Sequence, residues 1–286
     1  MSPLRKIKHS YDRKRKLKKV KASGSISREQ LKQDFIDLGI HEGEVLFVHS
    51  AMSKIGFVDG GAETIINVLK EILGPEGTLA FPTFTFPGGG VYPTISNPDY
   101  VFDRENEPSS VGTITEVFRK MDGVYRSCHP THSVSAWGKE AIEITKEHIE
   151  IGGNWGAGTP FGKLIDLNAT IISIGVPISM FTFFHCIEDY YLDLYPNLYH
   201  PEKLEVRIRK NGQEESCEMS YHDPEFLTDR IERNPAIEQY FHKCFMESEK
   251  MKEGKIGNAQ TLHVSSRDVL NIGYELAKKG KTIYKI

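Results

Sequence analysis

Nowhere among the 286 residues do about 18 apolar side chains follow one another, so no segment is expected to cross a membrane. The N-terminus is basic but has no apolar core, which argues against a secretory signal. Cysteine is scarce. Cys128, Cys186, Cys217 and Cys244 form no CxxC pair and are too widely spaced for a disulfide framework, so a reducing cytoplasm is the simpler expectation. The glycines of "HSAMSKIGFVDGGAE" (49–63) are wrongly spaced for a P-loop or a GxGxxG turn. No internal repeat or low-complexity segment occurs beyond the first residues.

What is present is an ordinary globular composition, 39% hydrophobic and 26% charged, with charge unevenly placed. Residues 1–21, "MSPLRKIKHSYDRKRKLKKVK", hold ten Lys or Arg against Asp12, a net +9. The chain totals −3, which leaves −12 for residues 22–286. A basic run of this kind either touches nucleic acid or anionic lipid, or is a solvated arm. Residues 1–24 are expected to be such a flexible arm, with no nucleic-acid partner. The acidic remainder either draws a cationic substrate or serves solubility. It is expected to form one domain, 25–286.

The periodicity predicts an α/β layered fold. Ser27 is a candidate N-cap, with Gln30 as its capping-box partner, for a helix that buries Leu31, Phe35 and Leu38 and stops at Gly39. "EVLFVHS" (44–50) reads as a strand buried on both faces. A helix over 60–74 and a strand over 77–86 complete a βαβ unit, which implies a parallel pair. Residues 87–110 are rich in Pro, Gly, Ser and Asn and read as one long loop. A helix over 111–121 would be capped by Ser109 or Ser110. "THSVSAWG" reads as a strand, "KEAIEITKEHI" as a helix, "GTPFGKLIDLN" as a helix starting at Pro160, and "ATIISIGV" (169–176) as a buried strand. Beyond Tyr199 the pattern becomes a C-terminal α+β elaboration. An antiparallel hairpin turns at Lys210-Asn211-Gly212, and helices follow around 224–247 and 265–280. "IGNAQTLHVSS" is either a strand or a loop.

Three stretches carry candidate chemistry. In "HSAMSKIGFVDGGAE", Ser50, Ser53, Lys54 and the amides around Gly60, Gly61 and Ala62 lie between a strand and a helix, where open α/β sheets bind ligands. A plain glycine turn is the alternative. In "RSCHPTHSVSAWG" (126–138), His129 and His132 suggest a metal. But Pro130 enforces an extended path that separates the two side chains, and no ligand lies at a matching spacing, so no metal is expected. In "FTFFHCIED" (181–189), a helix starting near Thr182 puts His185 and Glu188 on one face. A carboxylate beside an imidazole fixes its tautomer and raises its basicity, as a general base requires. Phe181, Phe183 and Phe184 would exclude water, and Asp189 is a second candidate acid. A core histidine bonded to its neighbour is the competing reading.

Taken in order, these blocks resemble the aminoglycoside N3-acetyltransferase family, unrelated to the GNAT fold, over roughly residues 27–280. The resemblance rests on "HSAMSKIGFVDGGAETIINVLKEILGPEGTLAFPTFTF", "SSVGTITEVFRKMDGVYRSCHPTHSVSAWGKEA", "GTPFGKLIDLNATIISIGV" and "TFFHCIED". It implies an α/β/α layered fold with a mixed central sheet, acetyl-CoA as acyl donor, and an amine of an amino sugar as acceptor. The family's HxxE motif falls on His185 and Glu188. Its CoA-contacting loop falls on His49, Ser50 and Ala51, where Ala51 replaces a serine, and continues to Ser53 and Gly56. Its RSxHPxxS block falls on Arg126, Ser127, His129, Pro130 and Ser133, expected near the donor. Ser133 and Thr182 are candidate oxyanion donors. Attack by Cys186 is a competing covalent route, disfavoured because adjacent helix residues point about 100° apart. The acceptor is an aminoglycoside or a nucleotide- or lipid-linked amino sugar. A non-catalytic CoA-binding protein and a metal-dependent hydrolase using His129, His132 and His185 are the readings from other classes. A homodimer is compatible with the sequence.

Overall fold

The computed structural model describes residues 24–151, 153–224 and 229–286. The basic arm expected over 1–24 lies outside these residues except for Gly24. In chain order the elements are β1 (Ser25–Ile26), α1 (Arg28–Leu38), β2 (Val45–Ser50), α2 (Met52–Ile55), β3 (Phe57–Val58), α3 (Gly61–Leu73), β4 (Thr78–Pro82), α4 (Val91–Ile95) and β5 (Val101–Asp103). Then come α5 (Thr113–Phe118), β6 (Tyr125–Arg126), β7 (Val134–Gly138), α6 (Ala141–Thr145), α7 (Pro160–Asp166), β8 (Thr170–Ile174) and α8 (Phe184–Tyr190). The chain ends with β9 (Leu204–Lys210), β10 (Gln213–Met219), α9 (Pro235–Glu247), β11 (Lys252–Ile256), β12 (Ala259–Ser265) and α10 (Ser266–Lys278).

The central sheet has seven strands in the order β11-β12-β8-β2-β4-β7-β6. The inner strands β8, β2 and β4 run parallel, and an antiparallel pair flanks them on each side. Along β2 the side chains alternate: Phe47 enters one apolar layer, and Leu46 and Val48 enter the other. The first layer holds α7, α8, α9 and α10; the second holds α1 and α3. This is the expected α/β/α arrangement on a mixed sheet, and it explains why "VLFV" is apolar throughout. A three-stranded sheet, β10-β9-β5, forms the elaboration, with Lys210 opposite Gln213 across the expected turn.

Local chemistry departs from expectation in four places. Ser27 Oγ does cap α1 through Gln30 N, but the Gln30 side chain bonds Asp34 at 2.6 Å, so the capping box is half made. Neither Ser109 nor Ser110 caps α5. Its N-cap is Gly112, while Ser110 Oγ accepts from Phe86 N and Ser109 Oγ bonds Thr115 Oγ1. The 87–110 loop contains α4 and β5, and β5 pairs in parallel with β9. Of the two readings of "IGNAQTLHVSS" the strand holds, as β12 paired with β8; the departure is its other partner, the unanticipated β11.

Two close approaches place the site. A Cβ on Gly175, just past β8, would lie 2.5 Å from Lys54 Cβ, so glycine lets the 51–56 loop lie against the end of β8. A Cβ on Gly273 would lie 2.0 Å from Ile187 Cδ1, so α10 reaches α8 only without a side chain there.

Candidate active site

The carboxyl ends of the parallel strands meet the short helix α8. Backbone bonds from Phe184 N to Phe181 O and from His185 N to Thr182 O wind the chain into that helix. Phe183 meets Phe47 of β2 edge-on, with centroids 5.2 Å apart, and His49 stacks on Phe181 at 6.0 Å. His49 Nε2 lies 3.4 Å from Thr182 Oγ1. Aromatic packing thus ties the end of β2, with the loop over Ser50, Ala51, Ser53, Lys54 and Gly56, to the stretch bearing His185.

On α8, His185 Nδ1 donates to Glu188 Oε2 at 2.8 Å. The Glu188 carboxylate is fully buried; the His185 side chain keeps 11% exposure. Glu188 Oε1 accepts from Tyr284 OH at 2.7 Å, and His222 Nε2 lies 3.3 Å from Oε2. Trp155 packs on His185 at 5.0 Å between ring centroids and on His132 at 4.4 Å. Asp189 does not reach His185: Oδ2 accepts from Trp155 N at 2.9 Å and Oδ1 from Tyr199 OH, which pins the loop carrying the indole. Against the raised basicity expected from its pairing with Glu188, burial, and then Arg230, push the His185 pKa down to about 3, and burial raises that of Glu188. The imidazole is therefore neutral at pH 7. With Nδ1–H committed to Glu188, the Nε2 lone pair is available to accept a proton. Cys186 points into the core, and burial raises its thiol pKa well above the ordinary value, so thiolate attack is disfavoured.

The residues expected near the donor divide into two groups. Lys54 and the end of β8 line a cleft of about 470 Å³, closed on its other side by the β11–β12 turn at Asn258 and by Gln260 and His242. Asn258 N bonds Ile55 O at 2.8 Å, and a Cβ on Gly56 would lie 2.8 Å from Asn258 Nδ2, so the turn clamps the loop. Gly112 abuts Ser50 O from the α5 side; a Cβ there would sit 3.7 Å from it. Arg126, His129 and Ser133 form the second group, a brace. Arg126 Nε donates to Ser133 Oγ, and its other N–H groups go to Thr83 O, Thr85 Oγ1, Arg104 O and Glu107 O. Ser133 Oγ donates to Thr83 O at 2.7 Å. His129 Nδ1 accepts from Thr131 N and His132 N, and its Nε2 pairs with Asn154 Oδ1. No hydrogen bond among the described residues joins these three to the 49–56 loop, and His129 has no nitrogen left for a metal.

Sequence reasoning passed over Trp155, Asp189's structural task, Tyr284, His222 and Gly112. Tyr284 and His222 come from chain positions far from the HxxE pair, and nothing local marks them.

The buried histidines imply acid lability. Burial lowers the pKa of His49 to about 3 and that of His129 to about 4, and it lowers those of His132 and His148 well below 6.5. An unfolded histidine titrates near 6.5, so below that pH the unfolded chain binds more protons and stability falls. At pH 5, His49 and His129 each cost about 2 kcal/mol, 1.5 pH units at 1.36 kcal/mol per unit. Urea midpoints should be flat above pH 6.5 and fall steeply toward pH 5. A midpoint unchanged over that window would contradict the buried neutral assignment.

Comparison with known proteins bears on the family and the fold. The family model described as aminoglycoside 3-N-acetyltransferase matches residues 47–278. The chain is similar to aminoglycoside N(3)-acetyltransferase IX of Micromonospora chalcea, 30% identical over 183 residues, which is 58% of this chain and 63% of that protein. It is also similar to the SPbeta prophage-derived aminoglycoside N(3')-acetyltransferase-like protein YokD of Bacillus subtilis (strain 168), 28% identical over 85% of this chain and 90% of that one. Among solved structures, AAC-IIIb in binary complex with CoASH shares the fold with a TM-score of 0.75 at 24% identity, covering 91% of this chain and 98% of that one.

Proposed function

This chain belongs to the aminoglycoside 3-N-acetyltransferase family, and from that premise we propose that it transfers the acetyl group of acetyl-CoA to an amine of an amino sugar, with His185 as general base. The observation that carries the reading is the His185–Glu188 pair: Nδ1–H is fixed at 2.8 Å, and no protein group among the described residues takes up Nε2. Acetyl-CoA as donor is supported by the family and by the CoASH bound to AAC-IIIb.

Acetyl-CoA lies with its nucleotide end in the cleft beside Lys54, its pyrophosphate near Ser50 and Ser53, and its pantetheine arm directed toward His185. The acceptor amine is largely protonated at neutral pH and cannot attack as an ammonium. The ammonium first releases one proton to solvent; His185 Nε2 then takes a second from the nitrogen as its lone pair forms the new N–C bond at the thioester carbonyl. Glu188 stabilises the imidazolium that results. Collapse of the tetrahedral intermediate breaks the C–S bond, and the imidazolium returns its proton to the departing CoA sulfur. The Thr182 hydroxyl is the oxyanion candidate, since Ser133 Oγ donates to Thr83 O. An aminoglycoside acceptor is supported by the names of the relatives, and the negative body suits a polycation.

The test is loss of thioester absorbance when the protein is mixed with acetyl-CoA and a panel of aminoglycosides and nucleotide-linked amino sugars. Turnover is expected with at least one aminoglycoside. Calorimetric binding of acetyl-CoA without turnover on any amine would instead mark a non-catalytic CoA-binding protein.

A further inference from the structure

Glu188 Oε2 is crowded by two imidazoles. His185 Nδ1 makes a well-formed hydrogen bond to it, but His222 Nε2, at 3.3 Å, does not. His222 Nε2 is the one buried side-chain nitrogen or oxygen among the described residues without a hydrogen-bond partner. An orphaned buried polar atom in a native fold calls for a reason, and an ion is one of them. One ligand atom from each of His185, Glu188 and His222 lies within 4.8 Å of the other two. Zinc bonds of about 2.0–2.2 Å to His and Glu set neighbouring ligand atoms roughly 3.2–3.6 Å apart; the His222–Glu188 separation of 3.3 Å lies in that range, and the 2.8 Å His185–Glu188 hydrogen bond has to open to admit the ion. Two imidazoles and one carboxylate suit Zn²⁺ and its neighbours, whereas Mg²⁺ and Ca²⁺ prefer oxygen throughout. The Tyr284 hydroxyl, held on Oε1, supplies the outer hydrogen bond that a ligating carboxylate needs. The partial exposure of the His185 and His222 side chains, 11% each, leaves a way in.

We propose that His185, Glu188 and His222 form a zinc-type divalent-cation site whose occupancy switches the enzyme off. Occupancy rests on geometry alone; inhibition rests on the general-base reading given above. A metal on His185 Nδ1 consumes the lone pair of that nitrogen, so the ring proton moves to Nε2. Nε2 then has no lone pair for the acceptor proton. Bound metal and general-base catalysis thus exclude one another through a single tautomer.

Chelator-stripped full-length protein is dialysed against micromolar zinc chloride and analysed for metal. One equivalent is expected in the wild type, lost in His222→Gln and kept in His242→Gln, the latter controlling for the exposed His242–Glu253 pair. Cobalt(II) added to the wild type should give the ligand-field bands of a four-coordinate site, a readout that does not depend on any variant folding. Zinc should also suppress acetyl transfer reversibly, with at least tenfold weaker inhibition in His222→Gln. Equal metal content in wild type and His222→Gln, or no metal in the wild type, would overturn the site. Bound zinc with undiminished turnover would overturn the switch. Because metal content is read without any acceptor, a chain inactive on every amine would leave the zinc result intact.

Discussion

His185→Ala is expected to lower kcat by about 10²–10⁴-fold, the usual contribution of a positioned general base, while acetyl-CoA still binds. The separation follows from placement. The cleft beside Lys54 is built from the 51–56 loop, the end of β8 and the β11–β12 turn, none of which uses the imidazole. His185 meets the rest of the site through Glu188, Trp155 and His222, and a methyl group in its place leaves the donor side untouched. Calorimetry should therefore give an acetyl-CoA affinity within a few-fold of wild type, alongside slow thioester loss. Near-wild-type turnover in the variant would remove His185 from the chemistry, and lost CoA binding would assign it to the donor site instead.

Glu188→Gln is expected to have the second largest effect. Three groups converge on this carboxylate: His185 Nδ1, Tyr284 OH and, less well aligned, His222 Nε2. An amide has one accepting oxygen, so either Tyr284 or His185 must face an N–H. If His185 loses its acceptor, its ring is no longer held with Nε2 toward the substrate, and the imidazolium loses its counter-charge. A fall in kcat of about 10²-fold or more follows, with little change in KM for acetyl-CoA. Leaving one buried donor unsatisfied should cost about 1–3 kcal/mol of stability, read as a lower urea midpoint. A stability loss without a kcat loss would make Glu188 purely structural.

The parts legible in the sequence are those whose signal is local. The His185–Glu188 pair is one helical turn, so spacing alone placed it. The βαβ unit from Val45 to Pro82 announces itself by apolar runs and by the glycines that bound α3. Pro160 marks the start of α7 because Thr159 caps it. What stayed hidden depends on partners far along the chain. β5 is three residues in a Pro- and Asn-rich stretch and exists because β9, about a hundred residues later, pairs with it. β11, "KEGKI", is a mostly exposed edge strand whose charges and glycine hide it, and only β12 makes it a strand. The family resemblance puts the Arg126 block near the donor, while its residues alone read as a brace for a loop or the lining of a cleft. In the fold Arg126 donates to Ser133 and to backbone carbonyls, Ser133 donates to Thr83 O, and His129 Nδ1 accepts from backbone N–H groups. Asp189 and Glu188 are adjacent in sequence, yet α8 sends one to Trp155 and the other to His185.

The most direct measurement is a crystal structure of the chain with CoA and an amino-sugar acceptor bound together. The expected result is an acceptor nitrogen about 2.6–3.2 Å from His185 Nε2, with the CoA sulfur beside it and Nδ1 still on Glu188. An acceptor nitrogen held elsewhere, with the imidazole turned into the protein, would contradict general-base catalysis by His185.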